Sequence, residues 1–394
     1  MHVLEAYALQ SDLKIDKPFV YEKFFPLAVD KFITIDTSNL GTSALTYDHW
    51  QLVVDLIYPK LEERGIKIVQ LGNKECIPLQ KCYMAIGQCS FNQKAYVLRK
   101  SLVHACPNNE SSHVASIYNK KSVVLFSNNC YPKQFLPYWT DPSCLEILTA
   151  PKLTKKPSFN PNEAPKSINY IKPEDVARKI LNFAGIVTFV PEFRTLRIGQ
   201  SFRQKRIESD LTRLLNAEKL GVSSLIMRMD LNFNEEALGR QLQACACSII
   251  TNKPLSDGIL DKYHKKIVEL VYYIEDDNDP DFIRKIKEKS INYLLRSRKD
   301  KTQTNDFKLD YLDYGLVHRI DKKSKKDFKE LKGKKKLYYK SNHFIIHDNS
   351  FYPCTSALLR LKQGAPSMEH EPYEIIDEPL FWEEEEHFHF FEKK

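Results

Sequence analysis

Lys31-Phe32-Ile33-Thr34-Ile35-Asp36, then Asp48 to Arg64, then Ile66-Lys67-Ile68-Val69-Gln70-Leu71-Gly72, is the stretch on which the fold turns. The two outer segments are short, apolar and rich in β-branched residues, as buried strands are. Between them Trp50, Val53, Val54, Ile57 and Leu61 recur at helical spacing, which predicts an amphipathic helix with one face turned to a core. Strand, helix and strand in one run make a βαβ unit. Such a connection joins parallel strands and crosses over right-handed.

The alternation continues outward from this unit. A helix is expected over Phe91 to Lys100, a strand over Leu102 to Ala105, a helix over Ser111 to Tyr118 and a buried strand over Ser122 to Phe126. Pro151 to Asn169, rich in Pro, Lys, Ser and Asn, predicts a surface excursion. Lys172-Pro173-Glu174-Asp175 then opens a helix to about Phe183, with proline and acids in its first turn.

After a less regular passage to about Gly221 the pattern resumes. Strands are predicted over 224–229, 247–251, 267–274, 291–295 and 309–317, with the clearest helices over 234–243 and 279–289. Lys340 to Phe351 reads as a strand pair around the turn Asp348-Asn349-Ser350, Thr355 to Leu361 as a short helix, and the aromatic tail Phe381 to Phe391 as packed on the body. The expected architecture is α/β throughout. A Rossmann-like parallel-sheet domain over residues 1–185 is followed by a second α/β domain over 186–330 and a C-terminal extension over 331–394.

Composition narrows the setting. A chain of 394 residues with 42% hydrophobic content is long enough for two domains, each with its own core. No run reaches the roughly 18 apolar residues of a membrane helix, and Met1 to Asp16 lacks the basic-then-apolar pattern of a signal peptide. A cytoplasmic protein is expected. The nine cysteines are odd in number, contain no C-x-x-C pair and suit reduced thiols; Cys245 and Cys247 read as strand positions, so no metal is placed there. His387 and His389 form a weak candidate metal pair without obvious further ligands. Lys322 to Lys340 holds ten lysines against two acids, a solvated loop or a patch for a polyanion, while Glu383 to Glu386 is its acidic counterpart and a candidate to attract it. Nucleic acid is not the expected partner.

The strongest functional signal runs from Gly87 to Phe126. It reads Gly87-Gln88-Cys89-Ser90, a helix, a strand, Asn108-Asn109-Glu110-Ser111-Ser112-His113-Val114-Ala115, and Lys121-Ser122-Val123-Val124-Leu125-Phe126. This order resembles the C-terminal, donor-binding half of the heptosyltransferase-like GT-B glycosyltransferases: a Gly-x-x-Ser loop, helix, strand, an Asp-Ser-Gly-x-x-His-x-Ala turn into a helix, and a buried strand. Asp36-Thr37-Ser38, Trp50, Gln70-Leu71-Gly72 and Pro173-Glu174-Asp175-Val176 fall in the same order, so the resemblance covers about residues 15–185.

The resemblance implies a site for a nucleotide-diphosphate sugar formed by Thr37, Ser38, Gly72, Gly87, Ser90, Asn108, Glu110, Ser111, Ser112 and His113. Such loops lie beyond the carboxyl ends of parallel strands, where a helix N-terminus can seat a diphosphate. His113 is a candidate catalytic donor to the departing nucleotide. Preorganised donors can stabilise that leaving group, so no metal cofactor is required. Ser111 and Ser112 equally suit helix caps, and His113 a buried histidine bonded to a carbonyl.

Two departures from the family stand out. Asn108-Asn109-Glu110 replaces Asp-Ser-Gly, removing the glycine and adding a negative charge beside the expected phosphate. The family's acceptor domain, which carries the catalytic base, precedes its donor domain, whereas here a donor-like half comes first: GT-B-like halves in unusual order. If the second domain substitutes, base candidates follow its strands: Asp230 first, then Asn232, Thr251 to Lys253, Glu275 and Asp276, each of which also suits a cap or turn. The acceptor would be a glycan, a lipid-linked saccharide or a protein. The competing expectations are a non-catalytic nucleotide-sugar-binding scaffold and, less favoured, a nucleic-acid-associated protein.

Overall fold

The computed structural model describes residues 1–39, 41–151, 156–275 and 279–393, and divides into two compact units, Met1–Glu192 and Phe193–Lys394. In the first, helix α1 (Val3–Ser11) precedes strand β1 (Phe32–Asp36), α2 (Trp50–Glu62), β2 (Lys67–Leu71), β3 (Tyr83–Met84), α3 (Phe91–Lys100), β4 (His104–Pro107), α4 (Glu110–Ile117), β5 (Ser122–Phe126), β6 (Leu145–Thr149) and α5 (Pro173–Phe183). The sheet order is β3-β2-β1-β4-β5-β6, every pairing parallel. This is the doubly wound Rossmann order, with β1 at its centre.

Strand alternation assigns the two faces. Ile33 and Ile35 of β1 join Ile68, Val123 and Leu125 beneath α2 and α5, which bury Val53, Val54, Ile57, Leu61, Val176, Ala177, Ile180 and Leu181. Phe32 points the other way, into a core with Val69, Leu71, Ala95, Leu98 and Val114 from the α3 and α4 side. Thr34 and Asp36 share the parity of Phe32, so polar groups enter the sheet on that side alone of β1.

The second unit contains β7 (Phe193–Ile198), β8 (Arg206–Ser209), α6 (Ala217–Leu220), β9 (Leu225–Arg228), α7 (Glu235–Ala244), β10 (Cys247–Thr251), α8 (Asp257–Tyr263), β11 (Ile267–Tyr273), α9 (Pro280–Glu288), β12 (Tyr293–Ser297), α10 (Lys301–Asp310), β13 (Val317–Arg319), β14 (Tyr338–Ser341), β15 (His343–His347), β16 (Ser350–Tyr352), α11 (Thr355–Leu359), β17 (Tyr373–Glu374), α12 (Pro379–Glu383) and β18 (Phe388–Lys393). Its main sheet runs β13-β12-β11-β10-β9-β8-β15-β16, parallel except for the β16 edge. An antiparallel sheet, β17-β14-β18-β7, is lined by Tyr339, Phe381, Trp382, Phe388 and Phe390.

Three expectations change. The strand expected over 309–317 is instead the end of α10, a turn and β13, because Asp300 caps a helix start by accepting from the Gln303 amide. The strand expected at Leu102 begins at His104, since Leu102 is exposed and Ser101 ends α3. Residues 331–394, read as an extension, supply β15, which pairs in parallel with β8 inside the main sheet. The acidic tail does meet the lysine run: Lys323 pairs with Glu385 at 3.2 Å and Lys334 with Glu392 at 2.8 Å. Among the described residues no helix is long and apolar enough to cross a membrane.

Gly199, just after β7, lies against the tail. A Cβ there would fall 2.2 Å from the Glu386 carbonyl oxygen, a backbone atom that cannot rotate away. Gly199→Ala is expected to destabilise the protein by about 1–3 kcal/mol or more through overpacking, read as a lower midpoint in urea denaturation.

Candidate functional site

In the first unit the chain runs from β1 outward through β2 to β3 and then crosses back to β4 on the other side of β1, so the carboxyl ends of β1 and β4 are the switch point of the sheet, where doubly wound sheets form a ligand crevice. Most of the residues singled out in the sequence meet there. The Ser38 carbonyl accepts from Asn109 Nδ2 at 3.1 Å, and Thr37 Oγ1 accepts from Gln70 Nε2 at 3.1 Å. The buried Gln70 also holds the loop beyond β2, donating to the Ile77 carbonyl and accepting from the Leu79 amide. Gly87 donates its amide to the Gly72 carbonyl at 2.8 Å.

Both glycines are required by space. A Cβ on Gly72 would meet Cys76 Sγ at 2.7 Å and Thr37 Oγ1 at 3.3 Å; Gly87 has a φ of +65° and its Cβ would meet Lys74 Cγ at 2.5 Å. Ser90 is exposed and caps α3 in a reciprocal box with Gln93. Ser111 and Ser112 are fully buried in the first turn of α4, their hydroxyls donating to the side-chain and backbone oxygens of Asn109; the cap is Asn109, which accepts from the Ser111 amide, and not the serines, and these bonds would have to open for the serines to meet a ligand. His113 is half-buried, three residues after Glu110 on the same flank of α4. Burial, then His2, pushes its imidazole below the usual range. His2 caps α1 and reaches the Leu136 carbonyl at 2.9 Å.

Beneath the crevice lies a polar layer that the sequence did not announce. Lys94 of α3 is 9% exposed, with Nζ 3.4 Å from Asp36 Oδ2 and 2.9 Å from Glu110 Oε1. Burial works against the ammonium, but the two carboxylates outweigh it and hold the lysine charged. Burial likewise pushes the Asp36 carboxyl up, while Lys94 and hydrogen bonds from Ser38 prevail and hold it below the usual range. Burial raises the nearby Cys89 thiol to about 11, despite Lys94.

His104 of β4 completes the layer. It lies 3.0 Å from Thr34 Oγ1 through Nδ1 and 3.0 Å from Ser111 Oγ through Nε2. Because Ser111 donates its hydroxyl proton to Asn109, it must accept from His104, which assigns the Nε2–H tautomer. Burial lowers the His104 pKa to about 4, so the ring is neutral at pH 7 and adds no charge to the site. One signal was available: Lys94 stands on the apolar stripe of α3 with Ala95 and Leu98, where an unpaired lysine would not be buried.

In the second unit, Asp230 follows β9 as expected, yet both its oxygens are held by Arg228, Oδ1 at 2.7 Å from Nε and Oδ2 at 2.8 Å from Nη2. Arg228 also pairs with the buried Glu208, which adjoins Arg206 and His343. Burial raises the Glu208 carboxyl, but His343 and the two arginines dominate and hold it well below the usual range. In this setting Asp230 is one arm of a buried ion-pair network. Asn232 donates to the Asp210 carbonyl, and Thr251 closes a turn with Lys253; Asp276 lies outside the described residues. The sequence did not single out His347, whose Nδ1 meets Asp210 Oδ2 at 2.5 Å across the ends of β15 and β8.

The nine cysteines are free thiols. His389 bonds Thr195 at 2.9 Å and His387 packs beside His343, so the two tail histidines have separate surroundings. Among the described residues no group of three or more His, Cys, Asp or Glu side chains is arranged to hold a metal ion.

No protein-family model matches the chain, and no curated protein does. Among solved structures it is similar to the ADP-heptose lps heptosyltransferase II of E. coli, at 14% identity over 45% of this chain and 50% of that one, with a TM-score of 0.30. It is also similar to the glycosyl transferase family 9 structure from Veillonella parvula DSM 2008, at 12% identity over 46% of this chain and 59% of that one, with a TM-score of 0.34. The chain therefore spans about half the length of the first and under two thirds of the second. Likenesses this distant leave the activity to be argued from the residues of the crevice.

Two consequences are measurable. The unfolded chain protonates His104 near 6.5 and the folded chain only near 4, so stability falls as the pH drops through that window. Asp36, with its folded pKa depressed, loses its contribution in the same direction, below the usual carboxylate range. Denaturation between pH 7 and 4.5 should show a decline on the order of 3 kcal/mol at most from His104, flattened in His104→Gln. Arg228→Ala, which leaves Glu208 and Asp230 buried without their partner, is expected to cost about 3–5 kcal/mol in the same assay.

Proposed function

We infer that the first unit binds a nucleotide-diphosphate sugar in the crevice between β1 and β4, and that the protein is glycosyltransferase-like, transferring the sugar to a glycan or other acceptor. The observation that carries this is the convergence of Thr37, Ser38, Gly72, Gly87, Asn108 and Glu110 at the switch point of a sheet in Rossmann order. That is where open parallel sheets take nucleotides, with strand ends and a helix N-terminus facing the phosphates. The close-packed glycines leave backbone where a side chain would intrude, and the order of motifs resembles a donor-binding half. His113, beside the α4 N-terminus, is the candidate donor to the leaving diphosphate, and the leaving group would be stabilised by fixed donors without a required metal.

The second reading, a nucleotide-sugar-binding scaffold without transfer, is favoured by one feature: Asp230, the first-choice base, is fully engaged by Arg228.

Thermal unfolding of the full chain against a panel of nucleotide diphosphates and nucleotide sugars tests the binding. A matched ligand at 100 times its Kd should add about 2.7 kcal/mol of stability and raise the Tm. Gly72→Ala, which crowds Thr37 and Cys76, should weaken that response while the ligand-free Tm reports its structural cost. A panel without any response overturns the proposal. Release of nucleotide diphosphate from a bound donor, absent in His113→Ala, separates the transferase from the scaffold.

A further inference from the structure

We propose that Lys94 is a phosphate ligand of this crevice and that Glu110 is its resident counter-ion, displaced when a diphosphate enters. This rests on the nucleotide-binding reading above and adds to it which side chains the phosphate meets. A lysine as buried as Lys94 needs a partner, and Asp36, completely buried at the end of β1, already supplies one. Glu110 is therefore a second carboxylate on a cation that the first could neutralise. Its side chain is 46% exposed, and its 2.9 Å bond to Nζ is held from the first residue of α4.

That placement imitates a bound phosphate. Glu110 presents a negative oxygen group to a lysine at a helix N-terminus, the two partners that recognise phosphate elsewhere. Counting Asp36, Lys94 and Glu110, and with His104 neutral, the crevice carries a net charge of −1. A diphosphate would be repelled while Glu110 stays. With Glu110 turned to solvent, the pair that remains is neutral and Lys94 has a donor to offer. The exchange strands no buried charge, because Lys94 keeps Asp36 as its partner and the half-exposed Glu110 carboxylate can turn to water.

A neighbouring atom points to a ligand as well. Asn108 Oδ1, two residues before Glu110, is buried and has no hydrogen-bond partner among the described residues. A buried acceptor left in this way is unfavourable until a donor reaches it, and a hydroxyl or amino group of a nucleotide sugar would serve.

Isothermal titration of the full chain with ADP, UDP, GDP, CDP and inorganic pyrophosphate at low ionic strength tests the exchange. Glu110→Gln, a change at a half-exposed side chain, should tighten the Kd for the diphosphate that binds by about three- to tenfold. Lys94→Gln alone would strand Asp36, so it is combined with Asp36→Asn; that double variant should weaken binding by tenfold or more and lose the gain from Glu110→Gln. If the wild type binds but Glu110→Gln binds no more tightly, the counter-ion role is overturned while the nucleotide site stands. If the double variant keeps the wild-type affinity, Lys94 is not the ligand. If neither wild type nor Glu110→Gln binds any probe, the nucleotide-site reading falls and this proposal with it.

Discussion

β1 lies in the middle of its sheet, with β2 on one side and β4 on the other, and both neighbours run parallel to it. Parallel strands need crossovers, so the chain must leave β1 to one side and later return on the other. The carboxyl ends of β1 and β4 consequently carry loops that diverge, while the strands beneath them stay in register at Thr34 and His104. The crevice, the meeting of Ser38 with Asn109, and the approach of α3 and α4 to the same spot all follow from that placement.

The same geometry explains why charge collects below the crevice. Asp36 is the last residue of β1 and faces α3 and α4 by strand alternation, so it is enclosed without reaching water. An enclosed carboxylate needs a cation, and α3 brings Lys94. The acid at position 110 shares that same lysine from its exposed side, so one cation serves two carboxylates. The His104, Ser111 and Asn109 chain acts alongside it, fixing the start of α4 against β4 with hydrogen bonds between neutral groups.

The second unit applies a related solution with different residues. β15 enters the sheet beside β8 from far along the chain, placing His343 opposite Arg206. Glu208 then lies among Arg206, Arg228 and His343, and Asp230 is drawn into the network through Arg228. A residue that follows an apolar strand, in the position where a catalytic acid or base is commonly found, is thereby held as a structural ion.

Local pattern was enough to place most strands and helices of the first unit, because a buried strand and an amphipathic helix write their periods within a few successive residues. Thr37 and Gly72 were legible as loop positions because each directly follows a run with strand character, whereas Gly87 follows β3, a two-residue exposed strand with no such run. Where a local signal was ambiguous it misled: Leu309 to Val317 has the apolar content of a strand, yet Asp300, several residues earlier, starts a helix through part of it. What a charge does was beyond local reach. Lys94 is a buried, paired cation or a solvated lysine depending on Asp36 and Glu110, and Asp230 is a free carboxylate or a buried ion depending on Arg228 and Glu208. The sequence by itself determined most strands and helices of the first unit and their order, because those choices depend on near neighbours. Only the tertiary structure decided the state of the buried charges, because the energy of an ion removed from water is set by partners that arrive from elsewhere in the chain.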